Sequence, residues 1–169
     1  AKLLDRTLLE AAALALHQAQ SVQIYGVAAS AILGEYLHYK LLRLGKPAQL
    51  FSDMHRAAMN ATTLSKNSLV VAISSSGSTR DLLHVVKLAR THGVPVLSLS
   101  NTPRSPLASL SDIQLVAAKP EGPLSAGALN AKVGVMLLIE LLTTSLIALD
   151  EQYSDVSQQT ASATLPLLL

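Results

Sequence analysis

Short apolar segments alternate with helical segments along almost the whole chain, and this alternation limits the possible folds more than any other feature. The apolar residues in these short segments are continuous, as in Leu-Val-Val-Ala-Ile at 69–73. A strand with one solvent-facing side alternates apolar and polar residues, whereas a parallel strand covered on both sides is apolar throughout. We therefore predict a three-layer α/β sandwich, in which helices flank a sheet of five parallel strands in the flavodoxin-like order 2-1-3-4-5.

The segments between the strands carry apolar residues at three- and four-residue spacing, which is typical of helices. The predicted strands are Val22–Tyr25, Pro47–Phe51, Ser68–Ile73, Val94–Ser98 and Asp112–Val116. The predicted helices are Leu3–Gln20, Ala29–Leu44, Asp53–Leu64, Thr79–His92, Pro106–Leu110 and Ala128–Leu149. A loop is expected over Lys119–Gly127, and the polar tail from Asp150 is expected to be helical in part. No repeat or long linker divides the 169 residues, so we predict a single domain over residues 1–169.

The composition excludes several classes of protein. Half of the residues are hydrophobic and 14% are charged, which is incompatible with a disordered chain. The net charge is only +2, basic residues are scattered and aromatic residues make up 3%, so this segment lacks the features of a nucleic-acid-binding surface. Cysteine is absent, which excludes disulfide bonds, thiolate zinc sites and cysteine catalysis.

The chain shows no pattern typical of a signal peptide or a membrane span. Charged residues interrupt the N-terminus where an apolar region would lie. The most apolar run, Val133–Leu149, is at the short limit for a span and carries Glu140 in its middle. We interpret this run as a buried helix and expect a cytoplasmic protein with no membrane association.

Two loops of small residues are expected to meet at one edge of the sheet. In an open parallel sheet, ligands bind beyond the carboxyl ends of the strands where the winding reverses, here between the first and third strands. The loops at that point cover residues 26–30 and 74–79, and each opens a helix. Backbone N–H groups at helix N-termini bind anions, and serine hydroxyls add donors. A serine-rich loop by itself is equally typical of a polar turn, but the convergence of two such loops favours a phosphate site.

Other cofactor motifs are missing from the sequence. There is no G-x-x-x-x-G-K-[ST] motif, and the loop at 26–30 has one glycine where a dinucleotide fingerprint needs two or three. No pair of histidines combines with a carboxylate at zinc spacing, and no G-x-S-x-G motif is present. We therefore expect no cofactor, no metal and no catalytic serine.

Two motifs connect the chain to a known family. Ile-Tyr-Gly-Val-Ala-Ala-Ser at 24–30 and Ile-Ser-Ser-Ser-Gly-Ser-Thr-Arg-Asp at 73–81 resemble the sugar isomerase (SIS) domain. The likeness is greatest to the effector domain of RpiR-type bacterial transcriptional regulators. It covers Ala19–Leu149 and includes an Asp-x-His segment, Asp53-Met54-His55, between the two motifs.

The resemblance implies roles for individual residues. It makes Ser74, Ser76 and Thr79 phosphate ligands, places Ser30 against the phosphate or the sugar, and turns His55 towards the sugar. The predicted ligand-binding set also contains Gly26, Ala29, Gly77 and Ser78. The chain departs from the family pattern at Ala28, where glycine or another small residue is common, and at Ser78, where glutamate is frequent.

The resemblance covers both sensors and enzymes. Arabinose-phosphate isomerases of this family carry Ser-His-Pro-Gly-Gly after the last helix, whereas this chain has Glu-Gln-Tyr-Ser-Asp at 151–155. We therefore predict a non-enzymatic domain that senses a hexose, amino-sugar or sugar-acid phosphate and controls DNA binding by the full-length regulator. The alternative is a stand-alone sugar-phosphate isomerase.

Further polar residues have simpler interpretations. Asp53 is expected to cap a helix, and Glu35 is more readily a solvent-side residue than a general base. His84 is expected on the exposed part of a helix. Lys132, at the head of the long apolar helix, is a candidate to reach a ligand or a neighbouring subunit.

The predicted partners follow from the resemblance and from the apolar surface. An RpiR-type regulator has an N-terminal helix-turn-helix domain, and no segment of this chain has that pattern, so DNA would be bound only through an absent domain. Leu3–Leu16 and Val133–Leu149 offer more apolar surface than one small sheet covers. We expect a homodimer or homotetramer to bury it.

Overall fold

The computed structural model describes residues 5–117 and 129–168, and its centre is one parallel sheet. The five strands are β1 (Ser21–Tyr25), β2 (Ala48–Phe51), β3 (Ser68–Ile73), β4 (Val96–Ser100) and β5 (Ile113–Val116). Their order in the sheet is β2-β1-β3-β4-β5, and every neighbouring pair is parallel. This confirms the predicted fold class and strand order.

Helices cover both faces of the sheet. They are α1 (Arg6–Gln18), α2 (Ala29–Arg43), α3 (Met54–Thr63), α4 (Arg80–Thr91), α5 (Pro106–Ser109), α6 (Leu129–Ile147) and α7 (Glu151–Thr164), followed by a 3₁₀ turn at Leu165–Leu167. The predicted loop over Lys119–Gly127 lies outside the described residues.

One strand begins two residues later than predicted. The sequence predicts a strand over Val94–Ser98, whereas β4 is Val96–Ser100. The N–H of Val94 donates to the carbonyl of Ala89 at the end of α4, over 3.1 Å. Pro95 has no N–H to donate, so neither Val94 nor Pro95 donates to the sheet, and the Val96 N–H donates to the Asp112 carboxylate over 2.8 Å.

The core consists of two apolar layers on opposite faces of the sheet. One lies beneath α1, α2 and α6 and contains Ile24, Val71 and Leu97. The other lies beneath α3, α4 and α5 and contains Val70 and Val96. Neighbouring residues of β3 thus enter different layers, and all residues of β3 and β4 are buried. This double burial explains why their sequences are apolar without alternation.

Helix α6 has one buried side and one exposed apolar side. It packs against α1 and α2, and its buried residues are Ala131, Val135, Leu138, Ile139, Leu142, Thr143 and Leu146. Among the described helices it alone has the length and apolar composition of a membrane span, a test that core helices also pass. Its opposite side exposes Val133, Met136, Leu137 and Leu141.

A polar cluster at Glu140 joins α6 to α2. The Tyr36 hydroxyl donates to Glu140 Oε1, and Lys40 Nζ lies 3.1 Å from the same oxygen. The hydrogen bond from Tyr36, together with Lys40, lowers the pKa of the Glu140 carboxyl below its ordinary value. The charge in the middle of the apolar helix is therefore neutralised within the chain.

Replacing Glu140 by Gln should reveal this cluster through the pH dependence of stability. A carboxyl whose pKa is lowered on folding stabilises the fold above its ordinary pKa and loses that contribution as pH falls through the folded value. Because the side chains are partly exposed, we expect the free energy of unfolding of wild type to exceed that of E140Q by about 0.5 kcal/mol at neutral pH. Urea denaturation over a pH series measures this difference, which should shrink in acid.

The exposed Glu35 on the same helix α2 provides the control. E35Q should differ little from wild type at any pH, since no hydrogen bond or ion pair of the Glu35 side chain is found among the described residues. A stability difference for E140Q that stays constant into acid would contradict the role assigned to the Glu140 charge.

Candidate functional site

The two loops predicted to converge follow neighbouring strands. The first loop (residues 26–30) leaves β1 and the serine loop (residues 74–79) leaves β3, and Tyr25 of β1 is paired with Ala72 of β3. Strand order reverses between these two strands. The loops therefore lie side by side at the carboxyl edge, where parallel sheets bind ligands.

The first loop is a tight turn that holds its backbone in an unusual conformation. Ser30 N–H donates to the Val27 carbonyl over 3.0 Å, and Ala28 between them has φ 52° and ψ −123°. These are the angles of the first central residue of a type II′ turn, which glycine normally occupies. A Cβ on Gly26 would lie 3.0 Å from the Ser30 carbonyl oxygen, so the backbone of Ser30 packs closely against Gly26.

The serine loop is held by its own side chains. Ser74 is buried, and its Oγ accepts the Gly77 N–H over 3.0 Å and lies 3.3 Å from Thr79 Oγ1. Ser76 Oγ accepts the Ser78 N–H over 3.2 Å. These bonds place several hydroxyls around one short bend of backbone.

Neighbouring segments fix the serine loop from the β4 side. The Ser75 carbonyl accepts the Asn101 N–H over 3.1 Å and the Thr102 hydroxyl over 3.0 Å. The Gly77 carbonyl accepts the Leu107 N–H over 3.0 Å. These two carbonyls therefore anchor the serine loop to the segment after β4 and to α5.

The two helices that begin at these loops lack side-chain caps. Among the helices whose starts are described, α1, α3, α5 and α7 have a capping side chain, supplied by Asp5, Asp53, Ser105 and Asp150. The cap residues of α2 and α4, Ala28 and Thr79, make no such bond. The positive ends of two helices without side-chain caps therefore meet at one edge, an arrangement that attracts an anion.

The structure brings most of the predicted binding residues to this edge. Eight of them lie in or beside the two loops, namely Gly26, Ala29, Ser30, Ser74, Ser76, Gly77, Ser78 and Thr79. His55 lies in the first turn of α3, after Asp53, whose carboxylate accepts the His55 N–H over 2.8 Å. The predicted capping role of Asp53 is confirmed.

His55 belongs to a cleft that the sequence did not reveal. The cleft lies between the starts of α3 and α4, where His55 joins Arg80, Asp81 and His84. His84 is exposed, as predicted, but its place in this cleft was not anticipated. The i, i+4 spacing of Arg80 and His84 on one helix was the available signal.

Lys132 lies at the same edge of the sheet. The Asn101 side chain, directly after β4, donates to the Ala131 carbonyl over 3.3 Å, which places the start of α6 at the carboxyl edge. Tyr36 of α2 contacts Glu140 of α6. Lys132 stands two turns before Glu140 on α6, and Ala28 stands two turns before Tyr36 at the start of α2. Helices that run side by side rise equally per residue, so Lys132 is level with the first loop.

Residues 5–117 and 129–168 contain no group of three His, Cys, Asp or Glu side chains that could hold a metal ion. The expectation that the protein binds no metal and no organic cofactor stays a prediction from the sequence.

The chain matches the family model of the SIS domain over residues 15–145 and belongs to this family. It is 30% identical over 145 residues to an HTH-type transcriptional regulator of Caldanaerobacter subterraneus and 26% identical over 147 residues to the HTH-type transcriptional regulator RpiR of Escherichia coli. These matches cover 86% and 87% of the chain but 51% and 50% of the relatives. The chain thus spans about half the length of the curated relatives.

A solved structure is similar over nearly the whole chain. The Vibrio vulnificus NanR protein, complexed with ManNAc-6P, matches with a TM-score of 0.94 and 47% identity. The match covers 98% of this chain and 63% of the NanR chain. These likenesses confirm the predicted relation to RpiR-type regulators.

Gly77 should be indispensable to the serine loop. It has φ 64°, and a Cβ there would lie 2.2 Å from Ser105 Oγ and 2.6 Å from Ser105 Cβ. Ser105 is held in place because it caps α5 through Ala108 N–H. We expect Gly77→Ala to lower the free energy of unfolding by about 2 kcal/mol or more, measured by urea denaturation.

Gly93→Ala is the matched control. Gly93 has φ 74°, but a Cβ there would meet only the flexible Lys66 side chain, at 3.4 Å. Gly93→Ala should lower the free energy of unfolding by about 1 kcal/mol, through backbone strain alone. Equal losses in the two variants would show that Ser105 does not restrict position 77.

Proposed function

We propose that this domain is the effector-binding part of a transcriptional regulator and that its effector is a phosphorylated amino sugar. The observation that carries the proposal is the meeting of two uncapped helix N-termini with a ring of serine hydroxyls at the switch point of the sheet. The relatives named as HTH-type regulators support the regulatory role. The ManNAc-6P held by the similar NanR protein supports an N-acetylated amino-sugar phosphate as effector.

The phosphate would bind at the serine loop. The hydroxyls of Ser74, Ser76 and Thr79 and the N–H groups that open α4 would donate to its oxygens, as helix N-termini do for phosphate generally. Gly77 and Ser78 would keep the backbone close to the anion.

The first loop and α6 would complete the site. Ser30 would donate from the start of α2, where the small residues Gly26 and Ala29 leave room for the ligand. Lys132, level with this loop, would offset the phosphate charge from the side of α6.

We infer that the domain binds its ligand without converting it. An aldose–ketose isomerase needs a general base beside the sugar carbons. Glu35 is exposed on α2, and the Asp53 carboxylate is engaged in capping α3. The relatives named as regulators favour a sensor over the alternative of a stand-alone isomerase.

The full-length protein would carry a helix-turn-helix domain before this one and act in the cytoplasm. Effector binding would then change the arrangement of subunits and with it the spacing of the DNA-reading domains. The names of the relatives support this, since they are HTH-type regulators of which the matched segment is about half.

The same proposal includes a homo-oligomer formed through α6. Val133, Met136, Leu137 and Leu141 are exposed on this helix, and Ile32 is exposed on the neighbouring α2. The only charge in the middle of α6, on Glu140, is paired with Lys40 and accepts a hydrogen bond from Tyr36 of the same chain. A second copy would therefore bury this surface without desolvating an unpaired charge.

Ligand binding tests the proposed site. ManNAc-6P should raise the melting temperature of the wild-type domain, and Ser74→Ala and Thr79→Ala should each weaken its affinity about tenfold, because each removes a hydrogen bond to a charged phosphate. Gln158→Ala, on the exposed side of α7, should leave the affinity unchanged. Titration calorimetry measures these differences.

Two results would contradict the proposal. If neither ManNAc-6P nor another sugar phosphate stabilised the domain, the site would not be an effector site. If a coupled assay with a panel of aldose phosphates showed turnover at ordinary enzyme rates, the isomerase alternative would replace the sensor.

Oligomerisation is tested by one charge on α6. Light scattering should show a dimer or tetramer at micromolar concentration, and Leu137→Glu should convert it to a monomer because the charge would be buried in the interface. Met59→Glu, at an exposed apolar residue of α3 on the opposite face of the sheet, should leave the oligomer intact. A wild-type monomer, or equal effects of both variants, would contradict an interface at α6.

A further inference from the structure

One backbone carbonyl of the serine loop, that of Ser75, meets three donor groups from a single segment. It accepts the Asn101 N–H over 3.1 Å and the Thr102 hydroxyl over 3.0 Å, and the Ser100 hydroxyl lies 3.4 Å from it. All three residues stand at the end of β4 and in the loop that follows it, and the side chains of Ser100 and Asn101 are fully buried. The direction of the Ser75 carbonyl is therefore fixed towards β4.

The direction of this carbonyl determines where the next backbone N–H points. A peptide group is planar and trans, so the N–H of Ser76 points opposite to the carbonyl of Ser75. The strand on the other side of β3 from β4 is β1, so this N–H points towards the first loop. No acceptor for the Ser76 N–H is found within residues 5–117 and 129–168. It is a free donor between the two loops, where an anion would lie.

Thr102 is held in place through both of its backbone polar groups. Its N–H donates to Ser100 Oγ over 2.9 Å, and its carbonyl accepts the side-chain amide Nε2 of Gln114 over 3.0 Å. Its hydroxyl then reaches the Ser75 carbonyl. We call this chain of hydrogen bonds, from Gln114 through Thr102 to Ser75, the relay. It connects the edge strand β5 to the serine loop.

Gln114 is the one polar residue of the four in β5. Its neighbours Ile113 and Leu115 belong to the apolar layer beneath α1, α2 and α6. Because successive side chains of a strand point to opposite faces, Gln114 points to the face that carries α5. There it is half-buried, and its amide is bonded to the loop after β4. An apolar side chain at this position would leave the Thr102 carbonyl without this donor.

Building on the proposed function, we propose that Thr102 and Gln114 are positioning residues of the effector site. They act through the Ser75 carbonyl and not by contact with the effector. Thr102 orients the peptide group between Ser75 and Ser76 so that its N–H faces the phosphate, and Gln114 holds Thr102. Hydrogen bonds to a carbonyl also polarise its peptide group, which makes the N–H a stronger donor. The relay therefore acts on the phosphate and is indifferent to the sugar.

Titration calorimetry of the domain with ManNAc-6P, alone and in competition with inorganic phosphate, tests this role. Thr102→Val removes the hydroxyl at nearly constant volume and should weaken both ligands by the same factor, about fivefold, through the lost bond to the carbonyl. Thr102→Ser keeps a hydroxyl and should bind both ligands within about twofold of wild type. Gln114→Leu removes the bond to the Thr102 carbonyl and should weaken both ligands about twofold.

Thr160→Val is the matched control. The Thr160 hydroxyl donates to the Arg43 carbonyl over 2.8 Å and joins α7 to the end of α2, far from the loop at which α2 begins. The same substitution there removes a comparable hydrogen bond. Thr160→Val should lower resistance to urea, as Thr102→Val does, and leave the affinity for both ligands unchanged. A merely structural role of Thr102 would give the same result at both positions.

Four results would overturn the relay. They are wild-type affinity in Thr102→Val or in Gln114→Leu, affinity in Thr102→Ser as weak as in Thr102→Val, an equal loss in Thr160→Val, and a loss for ManNAc-6P without one for phosphate. In each case wild-type binding of ManNAc-6P leaves the proposed function standing. If wild type binds neither ManNAc-6P nor phosphate, the proposed function fails and the relay has no role in binding.

Discussion

Parallel pairing of the five strands determines where the chemistry of this domain lies. A parallel sheet requires each connecting segment to return to the opposite edge, so every helix that follows a strand begins at the carboxyl edge. Each start exposes N–H groups that need partners. The chain supplies a carboxylate at Asp53 for α3 and a hydroxyl at Ser105 for α5. It leaves α2 and α4 without one, and these two helices flank the point where the strand order reverses.

The long helix α6 links the core, the exposed apolar surface and the site. One side completes the layer beneath α1 and α2, and the other carries the exposed apolar residues at which we propose that a second copy binds. The hydrogen bond from Tyr36 to Glu140 aligns α6 with α2, and α2 begins at the first loop. The same contact holds the Glu140 segment of α6 against α2, with Lys132 two turns before it on α6. A change at the first loop and a change at the exposed apolar side of α6 would therefore both act on this pair of helices.

The features that could be predicted depend on residues close together in sequence. The bounds predicted for the third strand coincide with β3, because continuous apolar residues end abruptly at polar ones. The cap at Asp53 was also predicted, since capping needs only the next two or three residues. The start of β4 was wrong by two residues, because the Val94 N–H is bonded to the end of α4. That bond spans five residues and follows Gly93 at positive φ, so it is a local feature of the helix end that the predicted strand bounds left out.

From its sequence alone, this chain specifies a doubly covered parallel sheet, a switch point and a serine loop suited to phosphate, because periodicity and small-residue loops are local properties. Tertiary structure alone decides that Ser105 excludes any side chain at position 77. It also decides that His55 of α3 faces the same cleft as His84 of α4. These features depend on the packing of elements distant in sequence, and hydrophobic pattern does not encode how such elements meet.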